Sequence, residues 1–293
     1  MNVPALPART RRSRRARPVR RFSASVLLGR LALSLLALLW LLPVAWALDT
    51  SLKTEFQTIL IPPAWVPTPV TLMAYGEVLQ SSGLPRWYLN SAIVACATTA
   101  LVLAFCSLGG YAFARLRFPG RTALFWVALA GLMVPAPILV VPLFLTISDW
   151  HLINTYGGIV LPQLVSPIGL FIMKQFFDDL PVELDEAALI DGANRFTMFW
   201  RIALPLSRPA LAAVGIFTFL GSWNNFLWPL IVETSASMST LPIGLGVQIQ
   251  SSFGVQYAHN MAAAILGSIP ILIVFIVFQR QIIEGVSRTG LKG

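Results

Sequence analysis

Long uncharged apolar runs, separated by shorter charged segments, dominate the chain. Each run has 18 or more residues, enough for a helix to cross the roughly 30 Å hydrocarbon core of a bilayer. Six such runs occur: Leu31–Leu48, Leu89–Ala114, Thr122–Ser148, Asn154–Met173, Pro209–Val232 and Asn260–Gln279. Open segments of this length can satisfy their own backbone hydrogen bonds in lipid only as helices. The pattern therefore predicts an all-α integral membrane protein with about six transmembrane helices.

Proline interrupts two of the predicted spans. Pro135, Pro137 and Pro142 fall in the third, and Pro162 and Pro167 in the fourth. Because proline lacks the N–H that continues a helix, we expect both spans to be bent or broken.

The basic residues give the orientation of these spans. Lysine and arginine concentrate on the cytoplasmic side of membrane proteins. The inner segments hold nine, three, four and three of them, nineteen in all; these segments are 1–30, 115–121, 174–208 and 280–293. The outer segments, 49–88, 149–153 and 233–259, hold only Lys53 and Arg86. We therefore predict a multi-pass protein of the bacterial inner (cytoplasmic) membrane with both termini cytoplasmic.

Composition agrees with this class. The chain is 56% hydrophobic and only 11% charged, whereas soluble domains are ~25% charged. The net charge of +9 comes from residues 1–30, which contain nine basic residues and no acid. Such a run could bind nucleic acid, but its place before an apolar span favours anionic membrane lipid instead. We predict no nucleic-acid partner.

The first span has a competing interpretation as a cleavable export signal. Arg20 and Arg21, the apolar run and Ala45-Trp46-Ala47 together imitate such a signal. The run of 18 residues is longer than the ~7–15 residues typical of a signal core. The length favours a retained transmembrane anchor over processing of residues 1–47.

The inner segment 174–208 has the pattern of two short helices joined at a glycine. Pro181 can begin a helix, and acids follow it in the first turns, where the helix dipole favours them. Gly192 falls where a helix end requires a left-handed residue. Asn194 can cap a second helix, which we expect to end at Leu204-Pro205.

The second helix of this segment carries an apolar face. Phe196, Phe199, Trp200 and Ala203 follow the i, i+3, i+4, i+7 spacing of one helical face. This face could pack against the protein's own helices, or it could bind in a groove of a soluble partner. The residues alone leave both possibilities open.

The same segment resembles the signature of permease subunits of binding-protein-dependent ABC importers, E-A-A-x-x-x-G-x₉-I-x-L-P. The matching residues are Glu186, Ala187, Ala188, Gly192, Ile202, Leu204 and Pro205. The resemblance implies the type I ABC importer permease fold, with 174–208 as a cytoplasmic coupling loop that docks into the ATPase subunit. It also implies contacts from Asp191, Phe196, Phe199 and Trp200.

Other stretches are similar to the maltose-type, carbohydrate-importing branch. They are RWYLNS (86–91), YAFARLRFPGR (111–121), NTYGGIVLP (154–162), WNNFLWPLIV (223–232), TLPIGL (240–245) and the terminal TGLKG. The resemblance implies a heterodimer with a second permease, two copies of an ABC ATPase and a periplasmic or lipid-anchored solute-binding protein. It favours an oligosaccharide or related polyol as the solute, with a sugar phosphate such as a glycerol phosphate as the alternative.

Two residues depart from that branch. Leu189 stands where arginine is common, and Asn225 stands where an acid often follows Trp223-Asn224. Asn224 and Asn225 lie in a predicted span, where polar side chains either line a translocation path or bond between helices. Both interpretations stay open.

Two other classes of function fit the sequence poorly. An enzyme would need a nucleophile, base or metal cluster, and the sequence contains neither such a motif nor a phosphate-binding loop. We therefore expect no catalytic residue, metal or cofactor. We assign ATP hydrolysis to partner subunits. An ion-coupled secondary transporter usually places ionisable groups within the membrane, and these spans have none.

The remaining expectations concern domain organisation and the last outer segment. We divide the chain into a basic tail (1–30), an anchor (31–48), a periplasmic loop (49–88), a core permease domain (89–281) and a cytoplasmic tail (282–293). Within the core, the periplasmic loop 233–259 contains TLPIGL, Phe253 and Tyr257. Because exposed apolar surface often marks an interaction site, we expect Glu233–Gln256 to contact the solute-binding protein or its solute.

Overall fold

The computed structural model describes residues 24–80, 83–249 and 255–289, and all regular structure in these ranges is helical. Most of the basic N-terminal tail, Phe253 and the last four residues lie outside the described ranges. The chain forms two compact units, residues 1–46 and 47–293.

The first helix, α1 (Ala24–Ser51), is apolar all round. Its leucines from Leu27 to Leu42 are more than half exposed, and Trp40 is 77% exposed. A helix without a polar face is typical of a membrane span. The part Leu27–Ser51 is long and apolar enough to cross a bilayer, which agrees with the predicted anchor.

The second unit contains two more continuous helices of this kind. After the short helices α2 (Glu55–Thr58) and α3 (Met73–Gln80), α4 runs from Leu84 to Arg115, and the last helix also crosses as Tyr257–Gln279. Three continuous helices and three bent helix pairs together give up to six spans. The predicted all-α membrane fold with about six spans is confirmed.

The third and fourth predicted spans are broken at proline, as expected. In the third, α5 (Arg121–Ala130) and a 3-10 turn (Gly131–Met133) meet α6 (Ala136–Asp149) at 104°. In the fourth, α7 (Tyr156–Val160) and a 3-10 turn (Leu161–Leu164) meet α8 (Pro167–Asp178) at 49°.

The residue before each proline explains where these breaks fall. Val134 precedes Pro135 and Ser166 precedes Pro167, and both have non-helical backbone, with ψ of 115° and 84°. A proline ring disfavours helical backbone in the residue before it, so the break falls one residue ahead of the ring.

The segment before the fifth predicted span consists of short helical pieces. They are α9 (Val182–Ile190), α10 (Arg195–Met198), a π-helical turn (Phe199–Ala203) and α11 (Leu204–Leu206).

The prediction of one continuous helix over Pro209–Val232 is wrong. Helix α12 (Arg208–Trp223) ends at Asn224, and α13 (Leu227–Val232) begins after a short gap. Pro229 explains the break, because its ring would collide with the carbonyl of residue 225 in a continuous helix. The Asn225 side-chain oxygen accepts the Trp228 N–H at 3.5 Å, which satisfies a donor that the break leaves free.

The chain ends with α14 (Leu241–Ile243), a π-helical turn (Gly244–Gln248) and α15 (Tyr257–Thr289). The main core lies where α4, α8, the Phe199–Ala203 turn and α12 meet. Its buried members are Val102, Cys106, Tyr111, Met173, Phe177, Phe199, Ala203, Ala210 and Val214.

Gly110 allows a close helix contact in this core. A Cβ at this position would lie 2.7 Å from the Met173 Cβ and 2.8 Å from the Lys174 nitrogen. Small residues let membrane helices approach closely, so Gly110 brings α4 against α8 immediately before the segment that begins at Lys174.

Candidate functional site

The segment 174–208 folds as the predicted helix–glycine–helix. Helix α9 starts directly after Pro181, with Glu183 and Asp185 in its first turn. At its end the Gly192 N–H bonds the Leu189 carbonyl at 3.1 Å, and the next N–H bonds the Ala188 carbonyl at 2.9 Å. These two bonds are a Schellman motif, which requires a left-handed residue. Gly192 has φ of +75°, so its predicted conformation is confirmed.

The second half of the segment begins with the predicted cap but is not a regular helix. The Asn194 side-chain oxygen accepts the Thr197 N–H at 2.8 Å. From Phe199 the backbone widens into a π turn, in which the Leu204 N–H bonds the Phe199 carbonyl. Pro205 accounts for the widening, because it has no N–H for the carbonyl of Arg201, four residues earlier.

The apolar face predicted on this half is divided between two environments. Phe199 and Ala203 are buried in the main core, and the Phe199 ring lies 5.2 Å from that of Tyr111. Phe196 and Trp200 are 69% and 49% exposed. The two interpretations left open by the sequence therefore each apply to part of the face. Phe199 and Ala203 pack against the protein's own helices, and Phe196 and Trp200 stay available for a partner.

Helix α9 exposes further apolar side chains. Ile190 is 86% exposed and Leu189 is 49% exposed. We call Leu189, Ile190, Phe196 and Trp200 the exposed apolar residues. Large apolar side chains left exposed on a short connecting segment are typical of an interaction surface.

The signature residues themselves take different positions. Glu186, Ala187, Gly192 and Pro205 are exposed, Ile202 and Leu204 are half-buried, and Ala188 is buried. Asp191, an implied contact residue outside the signature, is also exposed. Ala188 packs the helix against the protein, so the exposed signature residues point away from it. The segment thus has an inner side that fixes it and an outer side that is free.

Arg115, which the sequence analysis did not single out, fastens α9 to the membrane helices. It ends α4, and its side chain is only 8% exposed. Its Nε donates to the Phe177 carbonyl at 2.9 Å, one terminal nitrogen donates to the Leu180 carbonyl, and the other pairs with Asp185 at 3.2 Å. One guanidinium therefore ties α4, the end of α8 and the start of α9 together.

A sequence signal for Arg115 did exist. It is the first arginine after the second predicted span, and it lies on the same predicted side of the membrane as the acids of α9. An arginine and an aspartate in two adjoining inner segments are natural partners.

Asn224 and Asn225 lie away from this segment, at the break between α12 and α13. The Asn224 side-chain nitrogen donates to the Leu220 carbonyl at 2.9 Å, and Asn225 bonds within the break. Both side chains serve local backbone groups in this structure. Their part in a translocation path remains a prediction.

The expected apolar surface of the loop 233–259 is wrong for its TLPIGL stretch. Leu241 and Ile243 are 1% and 4% exposed, and Leu241 belongs to a buried cluster with Leu84 and Trp87 of α4. The large apolar side chains that are exposed in the described part of this loop are instead Val247, Val255 and Tyr257, which are 36%, 72% and 48% exposed.

Both ends of that loop are held by carboxylates. Glu233 accepts the Thr240 N–H at 2.9 Å, and burial raises the pKa of the Glu233 carboxyl to about 7. Glu55 accepts the N–H groups of Tyr257, Ala258 and His259 at 2.8–3.2 Å and so caps α15. The His259 ring lies between Glu55, at 3.0 Å, and Glu77.

Comparison with known proteins identifies the relatives of this chain. Residues 106–288 match the family profile described as "Binding-protein-dependent transport system inner membrane component". The arabinooligosaccharides transport system permease protein AraQ of Halalkalibacterium halodurans is 41% identical over 228 residues, which cover 78% of this chain and 81% of that protein. The diacetylchitobiose uptake system permease protein NgcG of Streptomyces coelicolor is 35% identical over 272 residues, 92% of this chain and 89% of that protein.

A solved structure shares the fold. It is a chain from the crystal structure of a bacterial ABC transporter involved in the import of the acidic polysaccharide alginate. The TM-score is 0.77 at 22% identity, covering 88% of this chain and 96% of the other. At this identity the similarity establishes the architecture alone.

Proposed function

Because this chain belongs to the family of binding-protein-dependent transport system inner membrane components, we propose that it forms, with a second permease, the translocation path for an oligosaccharide. The chain is a permease subunit of an ATP-driven importer, a transporter component and not an enzyme. Support for the solute class comes from its relatives, whose names specify arabinooligosaccharides and diacetylchitobiose.

The segment 174–208 is the coupling loop of this importer, and its partner is the ATPase subunit. The single observation that carries this assignment is the outer side of the loop. There the exposed apolar residues stand on two short helices that Arg115 and the Gly192 turn hold in place. Segments 115–121 and 174–208 hold seven Lys/Arg residues, against two in all the outer segments together, and this difference supports a cytoplasmic location for this side.

The mechanism is alternating access driven from the cytoplasm. Binding of ATP closes the ATPase subunits and displaces the docked loop. Because Arg115 joins α9 to the ends of α4 and α8, the displacement reaches the membrane helices directly. Coupling between two binding sites is reciprocal, so a loaded binding protein on the outer side favours the ATP-bound, closed arrangement of the partner subunits on the inner side.

The loop 233–259 faces the solute-binding protein in this proposal. Its ends are fixed by Glu233 and by the Glu55 cap on α15, and Tyr257 and Val255 expose apolar surface beside that cap. A segment held in place with exposed aromatic surface is suited to binding a preformed partner with little ordering cost.

The coupling role is tested by placing a charge on the outer side of the loop. Ile190→Glu changes a side chain that is 86% exposed, so the permease itself should insert and express normally. Docking should fail, because the new carboxylate would be desolvated without a partner. We expect at least a tenfold loss of ATPase subunit in co-purification and a matching loss of sugar uptake.

Ile61→Glu is the matched control, because Ile61 is a 96% exposed isoleucine in the outer segment 49–88. It should leave co-purification unchanged. Normal ATPase recovery together with normal uptake in Ile190→Glu would refute the docking role of this surface.

A further inference from the structure

An open cavity of about 400 Å³ lies at the start of α5, next to the predicted inner segment 115–121. Its volume is within the range of small-molecule sites, ~300–1,000 Å³. Two arginines line it and no acid does. The lining residues are Arg117, Phe118, Gly120, Arg121, Thr122 and Ala123. They belong to the stretch YAFARLRFPGR and its first neighbours, to which neither the coupling loop nor the translocation path gives a role.

The loop that carries the two arginines is held in a fixed shape. A terminal nitrogen of Arg121 donates to the Leu116 carbonyl at 3.0 Å, which closes the loop through a side chain. The Phe118 ring lies 5.9 Å from the ring of Phe113 on α4. Gly120 has φ of +78° and so forms the left-handed turn from which α5 starts. A ligand at this loop therefore meets a preformed surface and has little ordering to bring about.

The positive charge of this loop is not neutralised by the chain itself. Within the described residues, neither Arg117 nor Arg121 forms an ion pair with a carboxylate, whereas the nearby Arg115 is paired with an acid of α9. The sequence has no acid at all between Glu77 and Asp149. A guanidinium is a planar fork of donors that matches the oxygens of a phosphate. Two unpaired guanidinium groups on one cavity are thus suited to a phosphate group.

The surface beside the cavity indicates where such a phosphate comes from. Residues 122–148 carry no charge, and the bent pair that starts with α5 qualifies as one membrane span. On α5, Leu124, Trp126 and Val127 are 54%, 65% and 70% exposed. Arg121 lies at the inner end of this span, which is the depth of the headgroups of the cytoplasmic leaflet. A free phosphate would contact the arginines alone, whereas a phospholipid also covers the apolar side chains with its acyl chains.

We infer that Arg117, Arg121 and Thr122 bind the phosphate of an anionic phospholipid from the cytoplasmic leaflet, whose acyl chains lie along the exposed face of α5. Basic pockets on the cytoplasmic side of membrane proteins are suited to such headgroups. The Thr122 hydroxyl adds a donor for a phosphate oxygen. The inference goes beyond the proposed function, because it depends neither on the solute nor on the ATPase.

The test measures lipid selectivity at Trp126, which lies five residues after Arg121 on the exposed face of α5. The complete importer is reconstituted in phosphatidylcholine vesicles that contain a small, fixed fraction of brominated lipid. This lipid is either phosphatidylglycerol, which is anionic, or phosphatidylcholine, which has no net charge. Bromine on an acyl chain quenches the fluorescence of a tryptophan that it contacts. Because the chain has nine tryptophans, the signal of Trp126 is taken as the quenching that Trp126→Phe removes.

In the wild type, brominated phosphatidylglycerol should quench Trp126 more strongly than brominated phosphatidylcholine at equal fractions. Arg117→Gln and Arg121→Gln should each lower this preference about fivefold, the effect of one basic residue near an anionic membrane surface. Arg86→Gln is the matched control, because it makes the same charge change at an exposed arginine of the outer segment 49–88. It should leave the preference unchanged.

Four outcomes would overturn the inference. The first is equal quenching of wild-type Trp126 by the two lipids. The second is a wild-type preference in the double variant Arg117→Lys/Arg121→Lys, which keeps both charges without the guanidinium forks and would reduce the effect to general charge attraction. The third is relief of the quenching by inorganic phosphate but not by chloride of equal ionic strength, which would make free phosphate the ligand. The fourth is loss of the second permease or the ATPase from purified Arg117→Gln complexes, because a subunit would then cover the cavity.

Discussion

The backbone of Gly192 provides a sharp test of the coupling loop. Its φ of +75° completes the Schellman motif at the end of α9. Among the described residues no heavy atom lies within 4 Å of the position that a Cβ would occupy. A side chain at this position therefore meets no steric obstacle from the described part of the chain, so the penalty there comes from the backbone conformation.

The size of that penalty follows from the left-handed region. An L-residue with a Cβ pays about 1–2 kcal/mol there, and a β-branched residue pays towards the upper part of a 1–3 kcal/mol range. Asparagine adopts this region more readily. A penalty of 1–2 kcal/mol reduces the population of the native loop about 5- to 30-fold relative to competing conformations, and the apparent affinity for the ATPase falls with that population.

The assay is a titration of purified permease pairs with ATPase subunit, followed by uptake in vesicles. Gly192→Val should insert and express normally but bind ATPase at least fivefold more weakly, while Gly192→Asn should stay close to the wild type. Equal weakening by Val and Asn would refute the reasoning from backbone strain. Wild-type binding by Gly192→Val would refute the need for this turn in docking.

Three further predictions follow from contacts already described. Arg115→Met leaves Asp185 and two carbonyls without their donor, and should cost on the order of 3–5 kcal/mol; thermal unfolding in detergent measures this, and an unchanged midpoint would contradict the fastening role. Burial raises the pKa of the Glu233 carboxyl from 4.5 to about 7, so its contribution to stability is complete below pH 4.5 and is lost as the pH rises through 7. Glu233→Gln should remove this loss of stability. Equal pH slopes of the unfolding midpoint in the wild type and the variant would contradict this role of Glu233. Glu55→Gln weakens the cap of α15 and should speed amide hydrogen exchange at Tyr257–His259, whereas unchanged exchange there would assign the cap to another group.

The features predictable from the sequence were those set by the solvent or by local backbone chemistry. Lipid requires uninterrupted apolar helices, so α1 and α4 follow directly from their uncharged runs. The turn at Gly192 and the cap at Asn194 depend on neighbours a few residues away. Proline placed the breaks before Pro135 and Pro167 for the same local reason.

The features that escaped prediction depend on residues distant in sequence. Phe199 and Trp200 are adjacent aromatics, and the main core, which includes Tyr111, buries Phe199 while Trp200 stays 49% exposed. Leu241 lies in a predicted outer loop, but in the folded protein Leu84 and Trp87 pack against it and bury it. Arg115 donates hydrogen bonds to the carbonyls of Phe177 and Leu180, which lie more than sixty residues later in the chain.

Helix α4 joins the two ends of the proposed transport cycle in one continuous rod. Trp87, near its start, donates its indole N–H to the Ala236 carbonyl of the loop 233–259 at 3.2 Å, and Arg115, at its end, holds the coupling loop. The two residues are twenty-eight positions apart on the same helix, a distance of about 42 Å along its axis. The helix has no proline after Pro85, but Ser107, Gly109 and Gly110 lie between these points, and glycine and serine are residues at which a helix can bend. In the proposed cycle, a displacement of α9 therefore acts on the same helix that supports the outer loop. The stiffness of α4 at Gly109 and Gly110 sets how much of that displacement reaches the outer end.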